Sequence, residues 1–144
     1  MPSLPEPVAG FISAGRVGRL GTADATGDPL VVPFCYAWDG EALFSAIDAK
    51  PKRTAAGELR RVRNIRANPK VSVVIDEYDE DWSRLRWVII QGRAEILSGG
   101  PDYRRGAELL LDKYPQYRRM GLPPEPGTMI KVTPARISHW SFAP

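Results

Sequence analysis

The chain has one cysteine, one histidine and no long apolar run, and each scarcity closes off a class of protein. A lone cysteine, Cys35, cannot form an intramolecular disulfide. With His139 as the sole imidazole, a zinc site built from cysteine and histidine has too few ligands. No apolar stretch approaches the ~20 residues that a membrane-spanning helix needs. The opening residues, MPSLPEPVAGF, lack the basic and apolar blocks of a secretory leader, so a cytoplasmic location is the expectation. The glycines compose neither a P-loop nor a dinucleotide fingerprint. The acidic stretch Asp76 to Asp81 lacks the glycine and spacing of a calcium loop, and no metal site is expected.

What is present suits one globular domain: 144 residues, 43% of them hydrophobic and 26% charged. The charge is strongly polarised. Residues 50 to 70 hold eight cations (Lys50, Lys52, Arg53, Arg60, Arg61, Arg63, Arg66, Lys70) against one acid, Glu58. That segment carries +7, which leaves −4 for the rest of the chain. An anion held beside it is the first reading, with phosphate as the leading candidate. A solvated arginine-rich helix face is the bland alternative.

The pattern along the chain predicts a short helix over 7–15 and a first strand within 16–23. A continuous apolar strand, LVVPFCYAW, follows over 30–38, with Pro33 marking a bulge or an edge. Asp39-Gly40 is a hairpin signal, and 42–47 returns as the partner strand. Leu59, Val62, Ile65 and Arg66 recur at helical spacing, and Asn68 before Pro69 ends that helix. Strands are expected over 70–76 and 86–97, the second interrupted at Gly92. A second helix spans 102–114, the proline-rich 115–127 reads as a loop, and 128–132 and 136–142 read as the last two strands. Six or seven strands that do not alternate with helices argue against a doubly wound sheet. A small antiparallel barrel with helices packed outside it fits better.

The ordered segments LGT, GDP, VPFCYAWDG, LFSAIDAKPK, RNIRANPKVSV, WVIIQGRAEI, KYPQY and RISHWSF resemble the pyridoxamine 5′-phosphate oxidase family of flavin and deazaflavin oxidoreductases. Within it, the branch that uses coenzyme F-420 is the nearer likeness. The resemblance implies a mainly β fold, a six-stranded antiparallel split β-barrel with flanking α-helices, working as a homodimer with a flavin-type cofactor between protomers. It implies that Val32, Pro33 and Phe34, with Ser45, Ala46 and Ile47, line the groove for the ring and ribityl chain. It places Lys50, Lys52 and Arg61 on the cofactor phosphate, and Trp87 and Gln91 on a strand that approaches the cofactor, in some members from the other subunit. Coenzyme F-420 is the expected cofactor, with flavin mononucleotide (FMN) as the alternative, and hydride transfer to a small organic acceptor is the expected chemistry. No catalytic side chain is singled out. A non-catalytic cofactor or haem carrier and, more remotely, a single-stranded nucleic-acid binder are the competing classes; the acidic remainder of the surface disfavours the latter. Cys35 reads as a small core residue, and His139 as a strand-end structural residue or a general acid.

Overall fold

The computed structural model describes residues 3–47 and 59–144. Its frame is one antiparallel sheet of seven strands in the described residues: β1 (Gly18–Ala23), β2 (Pro29–Phe34), β3 (Ala37–Trp38), β4 (Leu43–Ala46), β5 (Lys70–Glu77), β6 (Arg86–Leu97) and β7 (Met129–Ser141). Among the described residues four α-helices accompany it, α1 (Glu6–Ala14), α2 (Arg60–Ala67), α3 (Pro101–Lys113) and α4 (Pro115–Met120), with a single 3-10 turn over Trp82–Arg84. Among the described residues no helix is long and apolar enough to cross a membrane.

The strand order is β2-β1-β5-β6-β7-β4-β3. The two outermost strands, β2 and β3, are consecutive in the chain and separated only by Cys35 and Tyr36. A flat sheet could not place its opposite edges two residues apart, so the sheet curls until they meet. The resemblance implies six strands and the described residues hold seven, the apolar run over 30–38 being two strands with a break at Cys35-Tyr36. At the break, strand pairing is replaced by side chains. Tyr36 N–H donates to the Tyr114 hydroxyl (3.2 Å), and its carbonyl accepts from Lys113 Nζ (2.9 Å) and Tyr114 Oη (3.1 Å).

The concave side is filled by Leu20, Tyr36, Val73, Ile75, Val88, Ile90 and Val132, all nearly inaccessible. Ile12 of α1 and Val62 and Ile65 of α2 join this same cluster, so these two helices serve the barrel interior rather than its outside. Only α3 and α4 pack outside, where Tyr103, Leu110 and Tyr117 meet Phe44, Ala46 and Met129. β4 lies between the two cores and is buried on both faces. Gly106 of α3 makes that contact possible, since a Cβ there would come 2.7 Å from the Phe44 ring.

Two further expectations change. The last two strands are one long β7, paired with β6 from Arg86↔Ser141 to Leu97↔Met129. A bulge intervenes: Gln91 pairs with Arg136 but Gly92 with Pro134, leaving Ala135 over. Inward positions on β7 therefore switch from even numbers (Ile130, Val132) to odd ones (Ile137, His139). The expected loop after 114 also begins with a helix, α4, because proline is welcome at the first helical position.

Candidate functional site

The break after β2 leaves a seam in the barrel. β3 pairs with β4 only through Ala37↔Phe44 and Trp38↔Leu43. Carried on in the same register, Phe34 would fall opposite Ile47, yet no strand pair joins them among the described residues. Ile47 N–H bonds to the Thr128 carbonyl (3.0 Å), on the β7 side. By strand alternation the backbone polar groups of Ala46 then point the other way, to the seam. A flat ring system with hydrogen-bonding edges fits such a slit: one free backbone edge, walled by strands.

The expected groove residues flank this seam from both sides. Val32 is half-buried and Phe34 buried, both in or against the concave core, while Pro33 alternates to the exposed side. Ser45, Ala46 and Ile47 are all buried on β4 and just beyond it. Ser45 shares the concave parity of Leu43 and Ile47, and Ala46 packs under α3. Val32, Phe34, Ser45 and Ile47 can thus meet one ligand from within the curl, whereas Pro33 and the Ala46 side chain cannot do so from the same face.

Of the expected phosphate ligands, Lys50 and Lys52 lie outside the described residues. Arg61 is half-buried on the first turn of α2. That helix is anchored below by Val62 and Ile65 and by the buried Asn64, whose Nδ2 donates to Thr22 Oγ1 (3.0 Å). Arg60, Arg63 and Arg66 project outward and are exposed. α2 therefore holds an arginine-rich face in a fixed orientation.

Trp87 and Gln91 are not brought to this seam within one chain. Both sit on the outward face of β6, Gln91 beside Arg136 and Trp87 beside Trp140. Ala46 is level with Met129 and so with Leu97, ten residues along β6 from Trp87. On the other wall, Val32 is level through Leu20 and Val73 with Ile90, so it is the outward direction of the Trp87 and Gln91 side chains that keeps them off the concave groove. The Trp87 and Trp140 rings stack at 6.5 Å and 25°. On the concave face of the same strand ends, Val88 and His139 line a cleft of about 390 Å³ against α1, with Phe11, Arg84 and Arg86.

One polar cluster had no signal in the sequence, because it forms between residues almost 80 apart. Lys113 Nζ lies over the Tyr36 ring (4.0 Å) as well as on its carbonyl, and Arg16 lies over the Tyr114 ring (4.7 Å). Burial, with the Arg16 charge second, lowers the Lys113 pKa to about 8. Burial raises the Tyr36 and Tyr114 phenols above their ordinary range. Tyr36 also donates to the Ile12 carbonyl (2.6 Å), tying α1 to the break. Cys35 is half-buried and packs toward α3, a peripheral rather than a central core position. His139 is exposed. Among the described residues no cluster of histidine, cysteine and carboxylate could hold a metal ion.

Comparison with known proteins places this geometry. The 5a,11a-dehydrotetracycline/5a,11a-dehydrooxytetracycline reductase of Streptomyces rimosus is 29% identical over 133 residues, covering 92% of this chain and 79% of the reductase. A solved F-420 reductase is 26% identical, with a TM-score of 0.64 and coverage of 94% of this chain and 98% of that one. A conserved hypothetical protein of Mycobacterium tuberculosis shares the fold at TM-score 0.75 and 22% identity, over 96% of this chain and 86% of its own. The pyridoxamine 5′-phosphate oxidase model matches residues 4–141, nearly the whole chain, and the chain belongs to that family.

Proposed function

We propose that this chain is a cytoplasmic, homodimeric oxidoreductase that holds coenzyme F-420 at the seam and reduces a small organic acceptor. The observation that carries this is the seam itself: a free β4 edge at Ala46 faces β2, and the chain after Ile47 passes through Lys50 and Lys52 to the arginines of α2. The family membership and the reductase relative support oxidoreductase chemistry. The likeness to an F-420 reductase supports the deazaflavin.

In this reading the backbone of Ala46 and the Ser45 hydroxyl meet the polar edge of the ring, and Val32, Phe34 and Ile47 exclude water around it. Lys50, Lys52 and Arg61 neutralise the phosphate. Arg60 and Arg63, exposed on the same helix, suit the anionic tail that distinguishes coenzyme F-420 from FMN. The reduced cofactor supplies the hydride when bound, so the chain needs no nucleophile of its own. Trp87 and Gln91 lie on the outward face of β6, away from the concave side that Val32, Phe34, Ser45 and Ile47 face. Projecting from the outer face of the barrel, in this reading they meet a cofactor held by a second copy, which is the argument for a dimer.

Fluorescence titration of cofactor-free protein with coenzyme F-420 and with FMN tests the reading. Micromolar or tighter F-420 binding is expected. The pair Lys52→Ala and Arg61→Ala together should weaken it by about 2–4 kcal/mol, from two charge-assisted contacts. Preference for FMN would move the chain to the flavin alternative. Binding of neither would leave the carrier of another ligand, haem included, as the reading to pursue.

A further inference from the structure

The bulge at Ala135 re-aims the end of β7, and we propose that the cleft it helps to build binds a compact, uncharged carbonyl compound. Before the bulge the concave positions of β7 are even-numbered and after it they are odd-numbered. His139 therefore points to the inside of the curl and Trp140 to the outside. His139 pairs with the buried Val88, and Val88 with Ile75 of the inner core. One row nearer the strand ends, Glu77, Arg86 and Ser141 share that concave face. Three strands thus form one side of the cleft, and Val8 and Phe11 of α1 form the other. The space between them, about 390 Å³, falls within the ~300–1,000 Å³ typical of small-molecule pockets. Trp87 and Trp140 border it through their backbone, since their rings lie on the outer face.

The charges around the cleft cancel. Arg86 is bonded to Glu77 (2.9 Å) and lies 4.3 Å over the Phe11 ring. Arg84 faces Asp79 at 3.5 Å, and Asp81 accepts from the Ser83 N–H and hydroxyl. No cation is left over for an anionic ligand, and the neighbouring acidic stretch would repel one. Glu77 is the sole acidic side chain of the lining and is spent on Arg86, so a cationic ligand finds no partner either.

What remains is hydrogen-bonding capacity without charge to neutralise. Among the described residues His139 makes no hydrogen bond or ion pair. The Arg84–Asp79 contact of 3.5 Å exceeds the ~2.7–2.9 Å of a charge-assisted hydrogen bond, which leaves guanidinium N–H groups to donate elsewhere. An imidazole N–H and a guanidinium N–H match the two lone pairs of one carbonyl oxygen. The apolar body of the ligand then rests against Val8, Phe11 and Val88. This site requires neither a cofactor nor a second copy, so it stands or falls apart from the seam.

The test is a titration of the full-length protein with camphor, a rigid uncharged bicyclic ketone. His139 is the chain's sole histidine, so in proton NMR its two ring C–H signals report on the cleft. They should move with a midpoint below about 1 mM, and at least about tenfold more weakly with camphor-10-sulfonate, the same ketone carrying an anion. Isothermal titration then compares variants. Arg84→Ala should weaken camphor binding by about tenfold, as loss of a hydrogen bond to a charged group does, and His139→Ala by about fivefold. Both residues are exposed, so neither change threatens the fold. Arg118→Ala, on α4 outside the barrel, should leave the affinity unchanged. A midpoint above about 1 mM, equal midpoints for the two ligands, or equal camphor affinity in all three variants overturns the proposal.

Discussion

Gly92→Ala is the substitution for which the structure gives the firmest number. Gly92 faces β7 at the bulge, and its backbone is not in the left-handed region, so the demand for glycine is one of space alone. A Cβ there would lie inside contact distance of the Thr133 carbonyl oxygen and 2.9 Å from Pro134 Cα, and both of those atoms are backbone. No rotamer change can relieve it. β6 and β7 must part by roughly an ångström, within the range of overpacking strain of about 1–3 kcal/mol. The flanking pairs Gln91↔Arg136 and Arg93↔Thr133 are strained with it, at about 1 kcal/mol for each ladder bond weakened. The reduced entropy of the unfolded alanine chain returns about 0.4–1 kcal/mol. The net loss is about 2–4 kcal/mol, read as a lower urea midpoint at unchanged slope, or a fall in Tm of about 5–15 °C. Gly10→Ala is the matched control. Nothing lies within 4 Å of a Cβ there, in the middle of α1, and alanine should stabilise by up to ~1 kcal/mol. A Gly92→Ala midpoint within about 0.5 kcal/mol of the unsubstituted protein would refute the steric reasoning.

Two further outcomes follow from buried polar groups. Asn64→Ala removes the Asn64–Thr22 bond and strands a buried hydroxyl, so chemical denaturation should show a loss of about 1–3 kcal/mol; combining Asn64→Leu with Thr22→Val should recover part of it. Lys113 titrates near 8 in the fold against 10.5 in a free chain, so between those values the unfolded state binds the extra proton and stability must rise with pH. The raised Tyr36 phenol acts oppositely above about 10, where the unfolded chain loses its proton first. Urea midpoints should therefore climb from about pH 8 to about 10 and then fall, by less than a fully buried lysine would give, because Lys113 is half-exposed. Lys113→Met should flatten the climb.

Local signals gave the local structure. β6 runs over the expected 86–97, and α2 ends at the Asn68-Pro69 stop. Reading failed where distant residues decide. Strand alternation changes parity at Ala135, so one strand looked like two. The chain over 30–38 is uniformly apolar, and what divides it is Tyr114 and Lys113, supplied by the far end of α3. Proline density hid α4, since proline marks both loops and helix starts. The site divided along the same line. The residues flanking the seam and the arginines of α2 were legible from their segments, while the separation of Trp87 and Gln91 from them depends on strand order. The Lys113 cluster depends wholly on tertiary contacts.

The edge of β2, unpaired among the described residues, also bears on self-association. An unpaired strand edge invites a neighbouring chain to add itself as another strand. In β2, Pro29, Val31 and Pro33 share one parity, and proline is tolerated in a paired strand only where its missing N–H faces away from the ladder. The three residues therefore turn their backbone toward the open side, and two of them have no hydrogen to donate. A peptide arriving there finds carbonyls with one N–H between them, too sparse a template for a ladder. The barrel can thus remain open along one side for a small molecule without offering that side as a seed for aggregation.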